Sequence, residues 1–284
     1  MRQVFEATVP WITDIPVRHV PCLLCGRRAM SPVNTFVLNE RRFATVRCPA
    51  DGMMWLDPQP TEPFYRSLYN EHYHLARGDD PLFEQGTLDV HSDEENLRQA
   101  AVLRLDEIEA FARPDTFMEV GFGSGHTLQE ARRRGWDVFG VELAQSCVDE
   151  MVADGIPAVC TQLPSYEGPD SAFSVIGMYS VIEHTHRPDA YLRRAHELLN
   201  PGGLLVLRLP DTAAEGPPAS LLAHVYHFNS VTIIELLRRS HFEVLQVGAF
   251  GLWKPTRYPG ELWSMNVVSR KPELPVEETT QQEA

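Results

Sequence analysis

Hydrophobic and polar positions follow two different patterns along the chain. Near the N-terminus, short strand-like runs such as NTFVLN and RFATVRC stand between loops with scattered prolines. Further on, the segment EENLRQAAVLRLDEIEAFA places Ala101, Leu105 and Ile108 at roughly helical spacing. A regular alternation of strands and helices follows, and the chain ends in an acidic, polar tail of the disordered type. The pattern predicts four segments: a loop-rich module at 1–60, a helical cap or linker at 61–115, an alternating domain at 116–270 and a disordered tail at 271–284.

The alternating domain predicts a mainly parallel sheet. Strands are expected at TFMEV, DVFGVE, IPAVC, FSVIGMYS and LLVLRLP. Helices are expected between them at HTLQEARRRG, AQSCVDEMVADG and PDAYLRRAHELLNPGG, and after them at SVTIIELLRRS. FEVLQVGAF and ELWSMNVVSR can form a final antiparallel pair. Such alternation favours an α/β fold in which helices cover both faces of the sheet.

Charge and hydropathy exclude several classes of partner. The formal net charge is −14, which disfavours nucleic acid because phosphate neutralisation needs a basic surface. No window has the roughly 18 apolar residues of a membrane span, and Glu6 and Asp14 interrupt any signal-peptide core. We therefore expect a cytoplasmic protein that binds neither nucleic acid nor membrane.

The turn after the first strand of the alternating domain is bare of side chains. FMEVGFGSGH places Gly121, Gly123 and Gly125 where a ligand approaches the backbone at the carboxyl end of a parallel strand. A dinucleotide fingerprint needs a third glycine at His126, so it fails, and a nicotinamide oxidoreductase is disfavoured. The carboxylate of Glu119 suits a ligand with an ammonium or sulfonium group. A second carboxylate, Glu142 at the end of the next strand, can accept the hydroxyls of a ribose.

Several motifs in this order resemble the class I S-adenosylmethionine-dependent methyltransferases. They are EVGFGSG, VFGVE and FSVIGMYSVIEHTHRPDAYLRRAHELLNPGGLLVLRLPDT, and they are similar to the ubiquinone-biosynthesis-like, small-molecule branch. The resemblance implies a Rossmann-like, seven-stranded sheet whose last strand is antiparallel. It also implies that the three glycines line the methionine half of the cofactor and that Glu142 holds the ribose.

The remaining candidates for contact with S-adenosylmethionine lie beside these motifs. Phe122 stands where family members usually carry a small residue, which narrows the glycine turn. Gln162 stands in place of the acidic residue that often contacts adenine. The full set of these flanking candidates is Glu119, Phe122, Leu143, Gln162 and Met178.

The end of the fourth strand carries the candidate catalytic residues. In this fold that end faces the methyl group, and the sequence there reads YSVIEHTH. His184 suits a general base near neutrality, Glu183 can orient a substrate hydroxyl, and Tyr179 precedes them. Alternatively, the Glu-His pair packs against the loop that closes the cofactor. We expect His186 to be a solvated loop residue.

A second histidine-containing segment, HVYHFNS, precedes a helix. Either His224 and His227 reach the substrate mouth or each has a structural role. Asn229 or Ser230 is expected to cap the helix.

Three cysteines and an aspartate in residues 1–60 have the spacing of two zinc knuckles. Cys22, Cys25, Cys48 and Asp51 predict a structural Zn²⁺ site with one thiolate replaced by a carboxylate, and His19 is a spare ligand. Alternatively, the module folds without metal. It resembles the N-terminal zinc-ribbon-like module of methyltransferases from sugar and natural-product pathways, in which aromatics at the positions of Tyr69 and Tyr73 cover the active site.

Together these motifs predict an S-adenosylmethionine-dependent methyltransferase of a small metabolite. Oxygen is the preferred acceptor because a histidine base suits a hydroxyl or carboxylic acid, while carbon and nitrogen remain open. The alternative from another class is a non-catalytic protein that binds S-adenosylmethionine or uses zinc as a scaffold.

Overall fold

The computed structural model describes residues 5–7, 14–67, 94–212, 222, 224–248 and 264–273. The predictions for Tyr69 and Tyr73, and for the tail beyond residue 273, fall outside these residues. Among the helices of the described part, none combines the length and apolarity that crossing a membrane requires.

The described chain contains fourteen strands and six α-helices. The strands are β1 Phe5–Ala7, β2 Val17–Arg18, β3 Ser31–Leu38, β4 Arg41–Arg47, β5 Met54–Asp57, β6 Gln59–Pro60, β7 Thr116–Val120, β8 Asp137–Glu142, β9 Ala158–Cys160, β10 Phe173–Tyr179, β11 Leu199–Pro210, β12 Tyr226–His227, β13 Glu243–Gly248 and β14 Ser264–Arg270. The α-helices are α1 Glu62–Ser67, α2 Glu94–Glu109, α3 His126–Arg133, α4 Gln145–Ala153, α5 Pro188–Leu198 and α6 Ser230–Arg239.

Seven strands form the large sheet, in the order β13-β14-β11-β10-β7-β8-β9. The five strands from β11 to β9 pair in parallel, whereas β14 is antiparallel to both β11 and β13. Strand order reverses at β7, because β8 lies on one side of it and β10 on the other. The predicted Rossmann-like, mainly parallel sheet with a final antiparallel pair is confirmed, and its ligand crevice is expected where β7 and β10 end.

One predicted helix end is wrong. The glycine stop at residues 202–203 suggested that the helix runs to LNPGG, but α5 ends at Leu198 and Leu199 already pairs with Phe173 of β10. Pro201 explains the difference, because the residue before a proline is sterically excluded from the α conformation. The stretch therefore becomes the first part of β11.

A five-stranded sheet, β1-β3-β4-β5-β12, accompanies the large one. The hairpin from β3 to β4 turns at Asn39 and Glu40, both with positive φ, as a two-residue loop with the right twist requires. The last strand, β12, comes from far along the chain and pairs antiparallel with β5. The small sheet is thus tied by backbone hydrogen bonds to the segment that carries His224 and His227.

One hydrophobic cluster runs from the small sheet into the large one. It joins Phe36 and Trp55 to Ile176 and Leu207, all of which are buried. A second cluster covers the opposite face of the large sheet, against α2, α3 and α4. Because neighbouring strand residues point to opposite faces, Met178 enters the first cluster and Tyr179 the second.

Candidate functional site

The glycine turn after β7 has a backbone that side chains disfavour. Gly121, Gly123 and Gly125 all have positive φ, between 53° and 74°. A Cβ on Gly121 would lie 2.7 Å from Cγ2 of Val181, whereas one on Gly123 meets no atom within 4 Å. The turn therefore packs closely against the segment after β10 at its start and opens at its middle.

Glu142 anchors the middle of this turn. Its Oε2 accepts a hydrogen bond from the N–H of Gly123 at 3.0 Å. Its Oε1 accepts from the N–H groups of Leu143 at 2.6 Å and Ala144 at 3.1 Å, at the start of α4. A carboxylate has about four lone-pair sites, so a ribose diol would need to share this carboxylate with the backbone. Glu142 thus holds β8, α4 and the glycine turn together at the predicted position.

Glu119 is buried behind the turn, with 2% of its surface exposed. Burial raises the pKa of its carboxyl to about 7 against the opposing charge of Arg104. Arg104 Nη1 lies 3.6 Å from Glu119 Oε1 and donates a hydrogen bond to Thr127 Oγ1 at 2.8 Å. Sequence reasoning missed Arg104, because its contacts with Glu119 and Thr127 join α2 to β7 and α3 and leave no local signal.

Three predicted site residues place their side chains in the core. The ring of Phe122 packs on Gly140, where a Cβ would lie 2.6 Å from the ring, so Phe122 does not narrow the glycine turn and only its backbone lies there. Met178 is also buried. The guanidinium carbon Cζ of Arg104 lies 4.2 Å from the centroid of the Tyr179 ring. Burial raises the pKa of the Tyr179 hydroxyl. Tyr179 thus groups with Arg104 and Glu119 rather than with the histidines.

Two further predicted cofactor contacts, Leu143 and Gln162, lie just after the ends of β8 and β9. Leu143 is half-buried and follows β8 directly. Gln162 Nε2 donates a hydrogen bond to Glu62 Oε1 at 2.8 Å, which links the segment after β9 to α1. Glu62 is a second contact that the sequence did not reveal, since the pair is separated by 100 residues.

The chain turns sharply where β10 ends. Ser180 has φ of 54°, an unusual value for a residue with a side chain, and its N–H is held by the carbonyl of Arg208 at 2.8 Å. This turn brings Val181 against Gly121 and begins the 3-10 helix Ile182–His184. Glu183 and His184 lie on this 3-10 helix, two and three residues after Val181.

Four side chains meet here. Glu183 is 2% exposed, and its Oε1 lies 3.9 Å from Nε2 of His184. The rings of His184 and His224 are 4.8 Å apart between centroids, and those of His224 and His227 are 6.0 Å apart. Burial, followed by the charges of neighbouring histidines, lowers the pKa of His224 and lowers that of His227 to about 3. Both imidazoles are therefore neutral near pH 7.

Backbone hydrogen bonds fix the two histidine-bearing segments to each other. The N–H of Val225 donates to the carbonyl of Glu183 at 2.9 Å, and the N–H of Leu56 donates to the carbonyl of Val225 at 3.0 Å. Asn229 caps α6 in a capping box with Thr232, which confirms the predicted helix start. The cap sets where the HVYHFNS segment ends.

His186 does not lie in solvent as expected. It is 8% exposed, its Nε2 is 2.7 Å from the carbonyl oxygen of Pro60, and its ring packs edge-on against Tyr65. Burial lowers the pKa of His186. The prediction was wrong because the N-terminal module covers this loop, and a contact across 126 residues leaves no local sequence signal.

The N-terminal cysteines sit on two knuckles of the same geometry. In the first, the N–H of Cys22 donates to the carbonyl of Arg27 and the N–H of Gly26 donates to the carbonyl of Cys22, both at 2.9 Å. In the second, Cys48 bonds to Met53 and Gly52 to Cys48 in the same way, at 2.8 and 3.0 Å. Three residues after its first cysteine, the first knuckle has Cys25 and the second has Asp51. The aspartate therefore stands where a fourth cysteine would be expected.

The four side chains of the knuckles converge. The ligand atoms of Cys22, Cys25, Cys48 and Asp51 lie within 4.8 Å of one another. Cys22 Sγ is 3.3 Å from Asp51 Oδ2, and the sulfurs of Cys25 and Cys48 are 3.5 Å apart. Sulfurs on a tetrahedral zinc with bonds of about 2.3 Å stand roughly 3.8 Å apart, so the set fits the ion. His19 is not part of it, since its Nδ1 bonds to Asp57 at 2.9 Å.

Comparison with known proteins agrees with this geometry. A methyltransferase domain family model matches residues 92–247, more than half of the chain. The chain belongs to the methyltransferase domain family. The predicted enzyme class, an S-adenosylmethionine-dependent methyltransferase, is confirmed at this level. No curated protein gives a significant match.

Solved structures share the fold at low sequence identity. One is a 1,6-didemethyltoxoflavin-N1-methyltransferase from Burkholderia thailandensis, with bound 1,6-didemethyltoxoflavin and S-adenosylhomocysteine: it is 20% identical, covers 83% of this chain and 97% of its own, and has a TM-score of 0.56. Another is the [4+2]-cyclase SpnF, 20% identical over 62% of this chain and 83% of its own, with a TM-score of 0.50. A third is an S-adenosylmethionine-dependent methyltransferase from Mesorhizobium loti, 17% identical over 59% and 97%, with a TM-score of 0.50. At these identities the likeness shows the fold alone.

Proposed function

We propose that the chain transfers a methyl group from S-adenosylmethionine to an oxygen atom of a small metabolite. The observation that carries the proposal is the contact between the glycine turn after β7 and the segment after β10. The glycine turn and Glu142 lie at the ends of β7 and β8, and Val181 brings the Glu183–His184 segment directly against that turn. A nucleoside cofactor bound at the glycine turn and Glu142 would present its reactive group to the Glu183–His184 segment.

In this proposal the cofactor lies along the glycine turn and the residues that follow the neighbouring strands. The backbone of Gly121, Phe122, Gly123 and Gly125 accommodates the methionine half of the cofactor, and the buried carboxylate of Glu119 attracts its cationic groups. Glu142 accepts the ribose hydroxyls in place of part of its backbone hydrogen bonding. Gln162 flanks the adenine, and Leu143 and Met178 are the remaining proposed contacts with the cofactor.

The acceptor is proposed to lie beside His184. Methyl transfer from a sulfonium needs an in-line approach and, for a hydroxyl, removal of one proton. His184 is 25% exposed and thus reachable, and as a base it would take that proton. Glu183 would orient the acceptor or the imidazole of His184. Tyr179 would have an indirect role, because its ring packs on Arg104, which lies beside Glu119. The methyl carbon then forms its bond to oxygen as its bond to sulfur breaks.

The N-terminal module is proposed to be a structural zinc module of the kind joined to sugar and natural-product methyltransferases. Its support is the pair of equivalent knuckles and their converging ligands. All four positions would be filled by protein groups, which leaves no open position for chemistry. We propose the ubiquinone-biosynthesis-like branch for the catalytic domain on the VIEH and LLNPGG segments.

The experiment is a transfer assay with the purified full-length protein. S-adenosylmethionine carrying an isotopic label on its methyl group is incubated with a panel of small hydroxyl, carboxyl, amine and activated-carbon compounds, and the methylated atom is located by NMR. An O-methyl product is expected. A methyl group on nitrogen or carbon would refute the oxygen preference. Tight binding of the cofactor with no product from any acceptor class would favour a non-catalytic binding protein.

A further inference from the structure

Glu183 is a buried carboxylate without hydrogen bonds. Neither Oε1 nor Oε2 has a hydrogen-bond partner among the described residues, and the side chain is 2% exposed. Its ion-pairing neighbour in that part of the chain is the imidazole of His184, at 3.9 Å. Burying a carboxylate in this way costs several kcal/mol unless a charge or a proton compensates it. A bound cation would provide that compensation in place of the proton that burial favours.

The surrounding imidazoles are suited to hold such a cation. First-row metal ions bind both imidazole nitrogen and carboxylate oxygen, and His224 and Glu183 offer these two kinds of donor. The ligand atoms of Glu183, His184 and His224 lie within 4.8 Å of one another. Ligands bonded to one tetrahedral ion at about 2.0–2.1 Å stand roughly 3.3 Å apart. Small side-chain rotations would bring the three atoms to that separation.

The backbone around the three side chains is already fixed. Val225 N–H bonds to the carbonyl of Glu183, and β12 pairs with β5 directly after His224. Glu183 and His184 lie on one short 3-10 helix. Rotation of side chains on a rigid frame is the motion that a preformed metal site requires.

We propose that Glu183, His184 and His224 bind a divalent first-row metal ion at the end of β10, with His227 packed behind His224. Two imidazoles and one carboxylate form a donor set for Zn²⁺, Mn²⁺ or Fe²⁺ that leaves coordination positions open. This site is separate from the cysteine knuckles, whose thiolates favour zinc.

The consequence for catalysis rests on the proposed function. The acceptor hydroxyl would take an open position on the ion, which lowers its pKa, and its proton would leave to water. The oxygen then bonds to the methyl carbon, and the carbon–sulfur bond breaks to release S-adenosylhomocysteine. In this state His184 is a ligand, because a nitrogen lone pair on a metal cannot also take a proton. The base role of His184 then applies to the metal-free enzyme only.

Direct metal titration tests the site without any acceptor. Full-length protein is loaded with one equivalent of Zn²⁺ to fill the knuckles, and Mn²⁺ binding is followed by electron paramagnetic resonance, then Co²⁺ binding by visible absorption. We expect about one Mn²⁺ or Co²⁺ per chain, bound by nitrogen and oxygen ligands. Glu183→Gln and His224→Ala should each weaken binding at least tenfold. His196→Ala is the matched control, since the ring of His196 packs on His241 and Phe242 instead.

The variants also separate this inference from the proposed function. Circular dichroism and thermal melting establish that each variant is folded, and His224→Asn replaces His224→Ala if the alanine variant is not. Undiminished metal binding by folded Glu183→Gln and His224 variants would overturn the site, as would a wild-type protein that binds neither ion. Methyl transfer that survives complete chelation would overturn the metal's catalytic role yet leave the proposed function intact.

Discussion

The two candidate metal clusters among the described residues each contain one carboxylate, but they differ in their other ligands and in their internal bonding. In the knuckles, the thiol of Cys22 donates to Asp51, and Cys25 lies beside Cys48, so the ligands satisfy one another. At the end of β10, Glu183 has two carboxylate oxygens without partners in the described structure. A cluster with four mutually bonded ligands is suited to a closed, structural ion, whereas three ligands and an unsatisfied carboxylate leave room for chemistry.

The pKa values of the carboxyl groups of Asp51 and Glu183 are shifted in opposite directions. Burial tends to raise the pKa of Asp51, but hydrogen bonds from Cys25, Met53 and the other thiols outweigh it, so the pKa is lowered. Burial raises the pKa of Glu183 to about 8 with little to oppose it. Asp51 is thus ionised near neutral pH, whereas Glu183 is mostly protonated below about pH 8 unless a cation binds beside it.

The largest effect is expected from breaking the knuckles. Cys48→Ser removes a buried thiol from the proposed zinc site, and structural zinc contributes about 10–16 kcal/mol to the folding of small zinc-finger peptides. We expect loss of the bound zinc, measured by elemental analysis, and a Tm lower by about 10 °C or more. Cys147→Ser on α4 is the matched control, and Asp51→Cys should retain or tighten zinc binding. A zinc-free wild-type preparation that is folded and active would show that the module needs no metal.

Removing His184 tests the other cluster and should affect the opposite property. As base or as ligand, its loss in His184→Ala should lower turnover by roughly 10²–10⁴-fold, while Tm and cofactor affinity stay nearly unchanged. Rates at saturating cofactor, with calorimetry and melting on the same preparation, provide the comparison. If His184 merely packs the cofactor loop, affinity and Tm will fall together and saturated turnover will stay near normal.

Periodicity predicted the large sheet well because its information is local. The strands that contain Val120, Glu142 and Tyr179 are apolar runs bounded by turn residues. The glycine turn is recognisable from three glycines in five positions. The site's other contacts are long-range. His186 meets Pro60, and Gln162 meets Glu62, across 126 and 100 residues.

The position of the second histidine-containing segment could not be predicted for the same reason. HVYHFNS stood out as a segment, but its position beside Glu183 depends on β12 pairing with β5. A two-residue strand such as Tyr226–His227 has no periodicity to detect. Strand periodicity implies that Met178 and Tyr179 face opposite sides of the sheet. It gives no indication that Arg104 covers the ring of Tyr179.

A smaller effect is expected from Glu142→Ala. The carboxylate accepts three backbone hydrogen bonds now and is proposed to accept the ribose hydroxyls. Losing a charged acceptor costs on the order of 1.5–3 kcal/mol, so affinity for S-adenosylmethionine and S-adenosylhomocysteine should fall about 10- to 150-fold alike. Isothermal calorimetry gives both values, with Glu150→Ala on the exposed side of α4 as control. Unchanged affinity for both ligands would remove Glu142 from the cofactor site.

The smallest effect concerns Glu119 and pH. Its pKa of about 7 means that the carboxyl is mostly protonated at pH 6 and mostly ionised at pH 8. If the ionised form attracts the cationic cofactor, affinity for S-adenosylmethionine should rise with pH through this window, by at most about tenfold for a single titrating group. The amine of the cofactor titrates near pH 8 and acts in the opposite direction, so Glu119→Gln, measured with the same ligand, is the necessary control. The difference in slope between wild type and Glu119→Gln isolates the contribution of Glu119, and S-adenosylhomocysteine, which lacks the sulfonium charge, should show a shallower difference. Parallel pH profiles for the two proteins would mean that Glu119 supports Arg104 and α3 structurally without sensing the cofactor's charge.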